Sequence, residues 1–155
     1  MKSLVVYYTR TGKTKFVAET IATQLAADVE EIVDLKKRQG TLGWIMSGKD
    51  ATRQSLTEIA QTTKVPADYD LVIIGTPIWA WKPTPAIRTY ISQNNLSGKK
   101  VALFYTFETG MKQAAEETKA LLHNTIIISE LPLINPLANK EDTEKKIVAW
   151  CNSLK

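Results

Sequence analysis

Cysteine is almost missing from this sequence. Cys151 is the only one among 155 residues, so no disulfide can form within the chain. The N-terminus runs straight into a strand-like segment, with no basic stretch, apolar core and small-residue cleavage site ahead of it. Taken with the lone cysteine, this gives the expectation of a cytoplasmic protein. Long apolar runs are missing too. None approaches the ~20 residues that span a bilayer, so no membrane association is expected. Internal repeats and low-complexity tracts are not found. The single histidine, His123, falls near the end of a helical pattern and reads as a solvated residue favourable to the helix dipole, so no metal is expected. What is present is ordinary: 44% hydrophobic and 23% charged residues, enough for one domain over 1–155 with a full core.

The net charge of +4 is unevenly placed. Lys36, Lys37, Arg38, Lys49 and Arg53 face only Asp50 in the segment 36–53, which therefore carries the whole excess. Such a cluster is either a solvated face or a docking surface for an acidic protein partner or another anion. Nucleic acid is not expected, because no binding motif accompanies the cluster and Trp44 is its only aromatic.

Apolar runs alternate with helical patterns along the chain. Strands are expected at Leu4–Tyr8, Asp28–Leu35, Asp70–Gly75, Val101–Thr106 and from Thr125, with the Pro-containing stretch Leu131–Ala138 irregular. Val29, Ile32 and Val33 among acids suit a sheet edge with one wet side. Helices are expected after Gly12, over 86–93, over 111–122 and over 140–153. The segment 36–64 is interrupted by Gly40, Gly43 and Gly48 and anchored by Trp44, Ile45 and Met46. A helix over 50–60 would turn Leu56 and Ile59 inward. Alternating strands and helices imply a parallel sheet covered on both faces, with ligands outside the carboxyl ends of its strands.

Three loops leave strands at that edge. Thr9, Arg10, Thr11, Gly12, Lys13 and Thr14 form a turn of hydroxyls and cations around one glycine, directly before a helix. Helix N-terminal amides and the helix dipole make such a turn an anion cradle. Thr76, Pro77, Ile78, Trp79, Ala80 and Trp81 form an aromatic loop. Thr106, Phe107, Glu108, Thr109 and Gly110 form a short polar one. A ligand with a phosphate at one end and a flat aromatic system at the other matches all three.

The turn Thr9–Thr14 resembles the flavodoxin phosphate loop, a hydroxyl-x-Thr-Gly-x-Thr turn, and Gly75–Trp79 is similar to that family's Gly-x-Pro-x-Trp turn. The resemblance implies a three-layer, doubly wound, five-stranded parallel sheet of order 2-1-3-4-5 that binds FMN non-covalently. It places the phosphate on Thr9–Thr14, Trp79 against one ring face, Thr76, Pro77 and Ile78 along the ribityl chain, and the turn Trp79-Ala80-Trp81 beside flavin N5. Thr106–Gly110 would meet the pyrimidine end, with Phe107 toward the other ring face. It implies an electron carrier between redox proteins, monomeric or homodimeric, over the alternative of an FMN-dependent NAD(P)H:quinone or flavin reductase. Ala80 stands where a glycine would flip easily and is expected to resist positive φ. The chain departs from the family in its pI near 9.1 and in the cations Arg10 and Lys13. A P-loop nucleotidase is rejected: Gly12-Lys13-Thr14 matches the motif's end, but Tyr7 takes the place of its leading glycine and Ile73-Ile74-Gly75 offers no magnesium-binding aspartate. A phospho-receiver would need acids where Tyr8-Thr9 stands. A cysteine phosphatase would need its thiol in the loop rather than at position 151.

Overall fold

A computed structural model describes residues 1–36, 43, 45, 49 and 55–154. Strands β1 (Ser3–Tyr7), β2 (Asp28–Glu31), β3 (Leu71–Trp79), β5 (Lys100–Phe107) and β6 (Ile126–Ile134) form a parallel sheet of order β2-β1-β3-β5-β6. Counting the parallel strands alone, this is the expected 2-1-3-4-5. A two-residue strand, β4 (Lys82–Pro83), pairs antiparallel with the end of β3. The helices α1 (Lys13–Leu25), α2 (Pro85–Gln93), α3 (Ala114–Leu121) and α4 (Lys140–Ser153) cover both faces.

The period-2 alternation of β1 builds the two layers. Leu4, Val6 and Tyr8 enter one core with Val72, Ile74, Leu103 and Ala86, Ile87 and Tyr90 of α2. Val5 and Tyr7 enter the other with Ile73, Phe104, Val17 and Ile21 of α1 and Ile147, Trp150 and Cys151 of α4. Cys151 is buried in this second core and forms no disulfide. Among the described residues no helix is long and apolar enough to cross a membrane.

Several expected boundaries move. The β3 run does not stop at Gly75 but continues through Trp79, because β5 pairs with Thr76 and Pro77 and Lys82–Pro83 folds back beside Ile78 and Trp79. The fifth parallel strand runs on to Ile134, through the first half of the stretch expected to be irregular, and only 135–138 are bend or turn. Pro132 pairs with Tyr105 at the sheet's edge, where a missing N–H costs no ladder bond. β2 is shorter than expected, and its burial is inverted: Val29 is exposed while Glu30 is buried. Glu30 is held by N–H groups of Thr63 and Lys64 and by the Thr63 hydroxyl, at 2.8–3.2 Å. Residues 55–60 are not helical. Ile59 bridges Asp34 and packs on the core, whereas Leu56 is exposed. Gly43, Ile45 and Lys49 carry helical backbone. Trp44, Met46, Gly40, Gly48 and the start of the helix expected over 50–60 lie outside the described residues, as do Lys37, Arg38 and Arg53.

The turn joining β3 to β4 has Ala80 at φ 48° and Trp81 at φ 61°. Two central residues at positive φ make the right-twisting two-residue hairpin that glycine and asparagine usually fill. The expectation that Ala80 would resist positive φ is therefore overturned: strand pairing on both sides imposes it. Ala80→Gly should stabilise the protein by about 0.5–1 kcal/mol, relieving a left-handed alanine against the extra freedom glycine gives the unfolded chain. Thermal melts should show a rise of about 2 °C.

Tyrosines on the inner strands donate hydrogen bonds to acids on the sheet's edges. Tyr7 Oη lies 2.8 Å from Glu31, and Tyr105 Oη 3.0 Å from Glu130. Burial, then these carboxylates, push both phenols well above the ordinary tyrosine range, and burial does the same for Tyr90. A phenol that holds its proton more tightly when folded adds stability that is complete below its unfolded value and is lost as pH rises through the folded one. Tyr7, Tyr90 and Tyr105 should therefore stay silent in an ultraviolet titration until the chain unfolds in alkali. Their ionisation in the folded state, alongside ordinary tyrosines, would contradict the packing.

Candidate functional site

At the carboxyl edge of β1, β3 and β5 lies a cavity of ≈ 540 Å³, within the range that holds a cofactor-sized ligand. Gly12 opens α1 in the left-handed region, φ 86°, where a side chain would be strained. Its N–H donates to Thr9 Oγ1 at 3.1 Å, and its carbonyl accepts the first bond of the helix from Phe16 at 3.0 Å. The first-turn amides of α1 then have no acceptor within the helix and face outward at its positive end. Thr14 is buried and shares a 2.8 Å bond with Thr106, which ties the first loop to the third. In that pair one hydroxyl donates to the other, so one proton is left to donate outward.

Arg10, Thr11, Lys13 and Thr14 line the cavity at the start of α1. Pro77, Ile78, Trp79, Ala80 and Trp81 form one wall, and Thr106, Phe107, Glu108, Thr109 and Gly110 the other. Three expected residues serve from outside it. Thr9 holds Gly12, as above. Gly12 sets the turn. Thr76 is buried and accepts the Thr84 N–H at 3.1 Å, fastening the base of the hairpin to the start of α2.

The cations do not simply face an anion. Arg10 lies 4.9 Å from the centre of the Trp79 ring, and Tyr8 meets that ring edge-on at 5.5 Å. The indole is thus fixed from two sides. Lys13 is ion-paired with Glu108 across the cavity mouth. That hydrogen bond, with the Lys13 charge and a smaller push from Arg10, holds the Glu108 carboxyl below its usual range despite its exposure. Glu108 faces solvent as Lys13's partner.

Three residues of this region escaped sequence reasoning. Ile45 and Lys49 of the basic segment line the cavity. Sequence placed Ile45 in an apolar anchor and Lys49 in a basic cluster, with nothing to bring either to the cavity. Asn135, at φ 42° just after β6, donates its backbone N–H to the Phe107 carbonyl at 2.8 Å and its Nδ2 to the Glu108 carbonyl at 3.4 Å. It fixes the third loop from a part of the chain that carried no motif.

An anion cradle at a helix N-terminus, an aromatic wall and a polar loop, all at the carboxyl edge of a doubly wound parallel sheet, define a nucleotide-binding α/β protein. A family model described as flavodoxin matches residues 2–154, and the chain belongs to that family. A protein assigned as a flavoprotein from Bacteroides uniformis is 25% identical, with a TM-score of 0.83 and 97% of each chain covered. One from Bacteroides eggerthii is also 25% identical, with a TM-score of 0.82, covering 98% of this chain and 96% of its own. A flavoprotein from Lactobacillus acidophilus, solved in complex with FMN, shares the fold at 22% identity and a TM-score of 0.74, over 88% of this chain and 96% of its own. No curated protein matches the chain.

Proposed function

We propose that this protein is an FMN-binding electron carrier that passes electrons between redox proteins. The carrying observation is the single cavity that joins the α1 cradle to the Trp79 and Phe107 walls. The donor set fits FMN: hydroxyls and helix amides for a dianionic phosphate, an indole and a phenyl for the ring system, and backbone groups of 106–110 for its polar edge. The FMN complex of the Lactobacillus acidophilus relative supports the same assignment. Bound FMN supplies the electron chemistry. The chain's part is to hold the phosphate at Thr11–Thr14, to keep the ring against Trp79, and to exclude water with Ile45, Ile78 and Phe107.

Trp81 is 43% exposed at the hairpin tip, which favours a carrier: it offers an aromatic contact beside the ring end for a protein partner. The basic segment, with Lys49 at the cavity and Arg10 and Lys112 near it, suits an acidic partner in the cytoplasm. Steady-state turnover with NAD(P)H and a quinone tests this. A carrier turns over slowly alone and fast only with a partner reductase, at a rate that falls with salt. Fast, salt-insensitive turnover by the protein alone would identify a reductase instead.

A further inference from the structure

The hairpin that closes the ring end of the cavity holds a conformation its own residues disfavour. A side chain at positive φ costs about 1–2 kcal/mol, and Ala80 and Trp81 both adopt it. Such a turn persists only where its surroundings over-determine it. Two of its ties come from the same part of the chain. Lys82, which closes the hairpin, places Nζ 2.5 Å from Glu117 Oε1 of α3, with side chains only 15% and 22% exposed. Lys112, just ahead of α3, lays Nζ 3.5 Å from the centre of the Trp81 ring.

Glu117 is itself fixed from behind. Arg88 of α2 is buried and donates from Nη2 to the second Glu117 oxygen at 3.2 Å. Burial works against the Arg88 charge, and Glu117 is what offsets it. Among the described residues Arg88 Nε has no partner of its own. Releasing Glu117 would leave a buried cation unpaired, an expensive state. Glu117 is therefore a fixed post and not a swinging surface carboxylate. Neither it nor Lys82 nor Arg88 lines the cavity.

We infer that Glu117, fixed by Arg88 and joined to Lys82, is a positioning residue that holds the Trp79–Lys82 hairpin in its strained form and so presets the ring end of the flavin site. The inference rests on the FMN assignment above. It concerns the wall that meets the ring; the phosphate cradle is built on α1 and does not depend on it.

Lys82→Met tests it, because this change frees the hairpin while leaving Arg88 paired with Glu117. In the protein without flavin, hydrogen exchange at the Trp79 and Lys82 amides should quicken about five- to tenfold, the scale of one partly buried ion pair, with β1 and α1 unchanged. Riboflavin and FMN should both bind more weakly by that same factor, since the lost order is at the ring. Adding Ala80→Gly, which removes one of the two strained side chains, should restore part of the slow exchange and part of the flavin affinity together. Unchanged hairpin exchange overturns the inference. So does faster exchange with unchanged flavin affinities, a loss confined to FMN, or a double variant that fails to recover. A wild-type protein that takes up neither flavin overturns the proposed function instead, and the exchange data then decide the anchoring alone.

Discussion

Gly75→Ala should unfold much of this protein's stability margin. A Cβ at position 75 would lie 1.9 Å from Phe104 Cζ and within 2.5 Å of both neighbouring ring carbons. The two residues are direct neighbours in the β3–β5 register, and the ring is fully buried, so it crosses the glycine with nowhere to go. Flexible neighbours absorb such a contact; an aromatic ring packed among Val5, Val17 and Ile147 does not. Overpacking of well-packed cores commonly costs 1–3 kcal/mol, and a clash with the middle of a ring belongs at or beyond the top of that range, about 3 kcal/mol. For a chain of this size that is a drop of roughly 10 °C in the melting temperature. Adding Phe104→Leu should recover part of the loss, because a smaller side chain vacates the space. A Gly75→Ala protein that melts like the wild type would mean that the ring does not lie over position 75.

Trp79→Ala should weaken FMN binding by about ten- to a hundredfold, the worth of one aromatic stack on a planar base. The side chain is held by Arg10 over its ring and by Tyr8 in a T-shaped contact, so it is already placed before any ligand arrives. Riboflavin should lose the same factor, because both carry the ring that Trp79 meets. Trp79→Phe should keep most of the affinity. The variant should remain folded, since Trp79 is only half-buried at the end of its strand. Fluorescence titration of both flavins separates this from a phosphate effect. A loss for FMN alone, or none for either, would take Trp79 off the ring.

Much of this was legible in the sequence because it rests on local rules. The β1 run, the Thr9–Thr14 turn and the helix after it are neighbours in sequence, and the alternation of β1 assigns its residues to two cores. What was not legible depends on partners distant in the chain. The extension of β3 past Gly75 needs Tyr105 and Thr106 of β5 beside Thr76 and Pro77, and Lys82 and Pro83 to return beside Ile78 and Trp79. The positive φ at Ala80 is imposed by that pairing against the residue's own preference. Glu30, read as one of the acids of a wet strand face, is buried because Thr63 and Lys64 deliver amide donors to it across more than thirty residues. Pro132 looked like the end of a strand because proline removes a donor, but at an edge that donor is not needed. Asn135 carried no motif at all, and its role exists only because β6 brings it beside Phe107. Arg10 and Lys13 were the residues least expected of a phosphate turn, and the pairing of Lys13 with Glu108 joins two loops far apart in sequence.

The central claim is that the cradle and the aromatic wall together hold FMN. The direct measurement is an equilibrium titration of the flavin-free protein with FMN and, separately, with riboflavin, following quenching of flavin fluorescence. One FMN should bind per chain, saturably. Riboflavin should bind at least about a hundredfold more weakly, because charge-assisted hydrogen bonds to the phosphate contribute roughly 1.5–3 kcal/mol each. No saturable uptake of FMN, or equal affinity for the two flavins, would contradict the account.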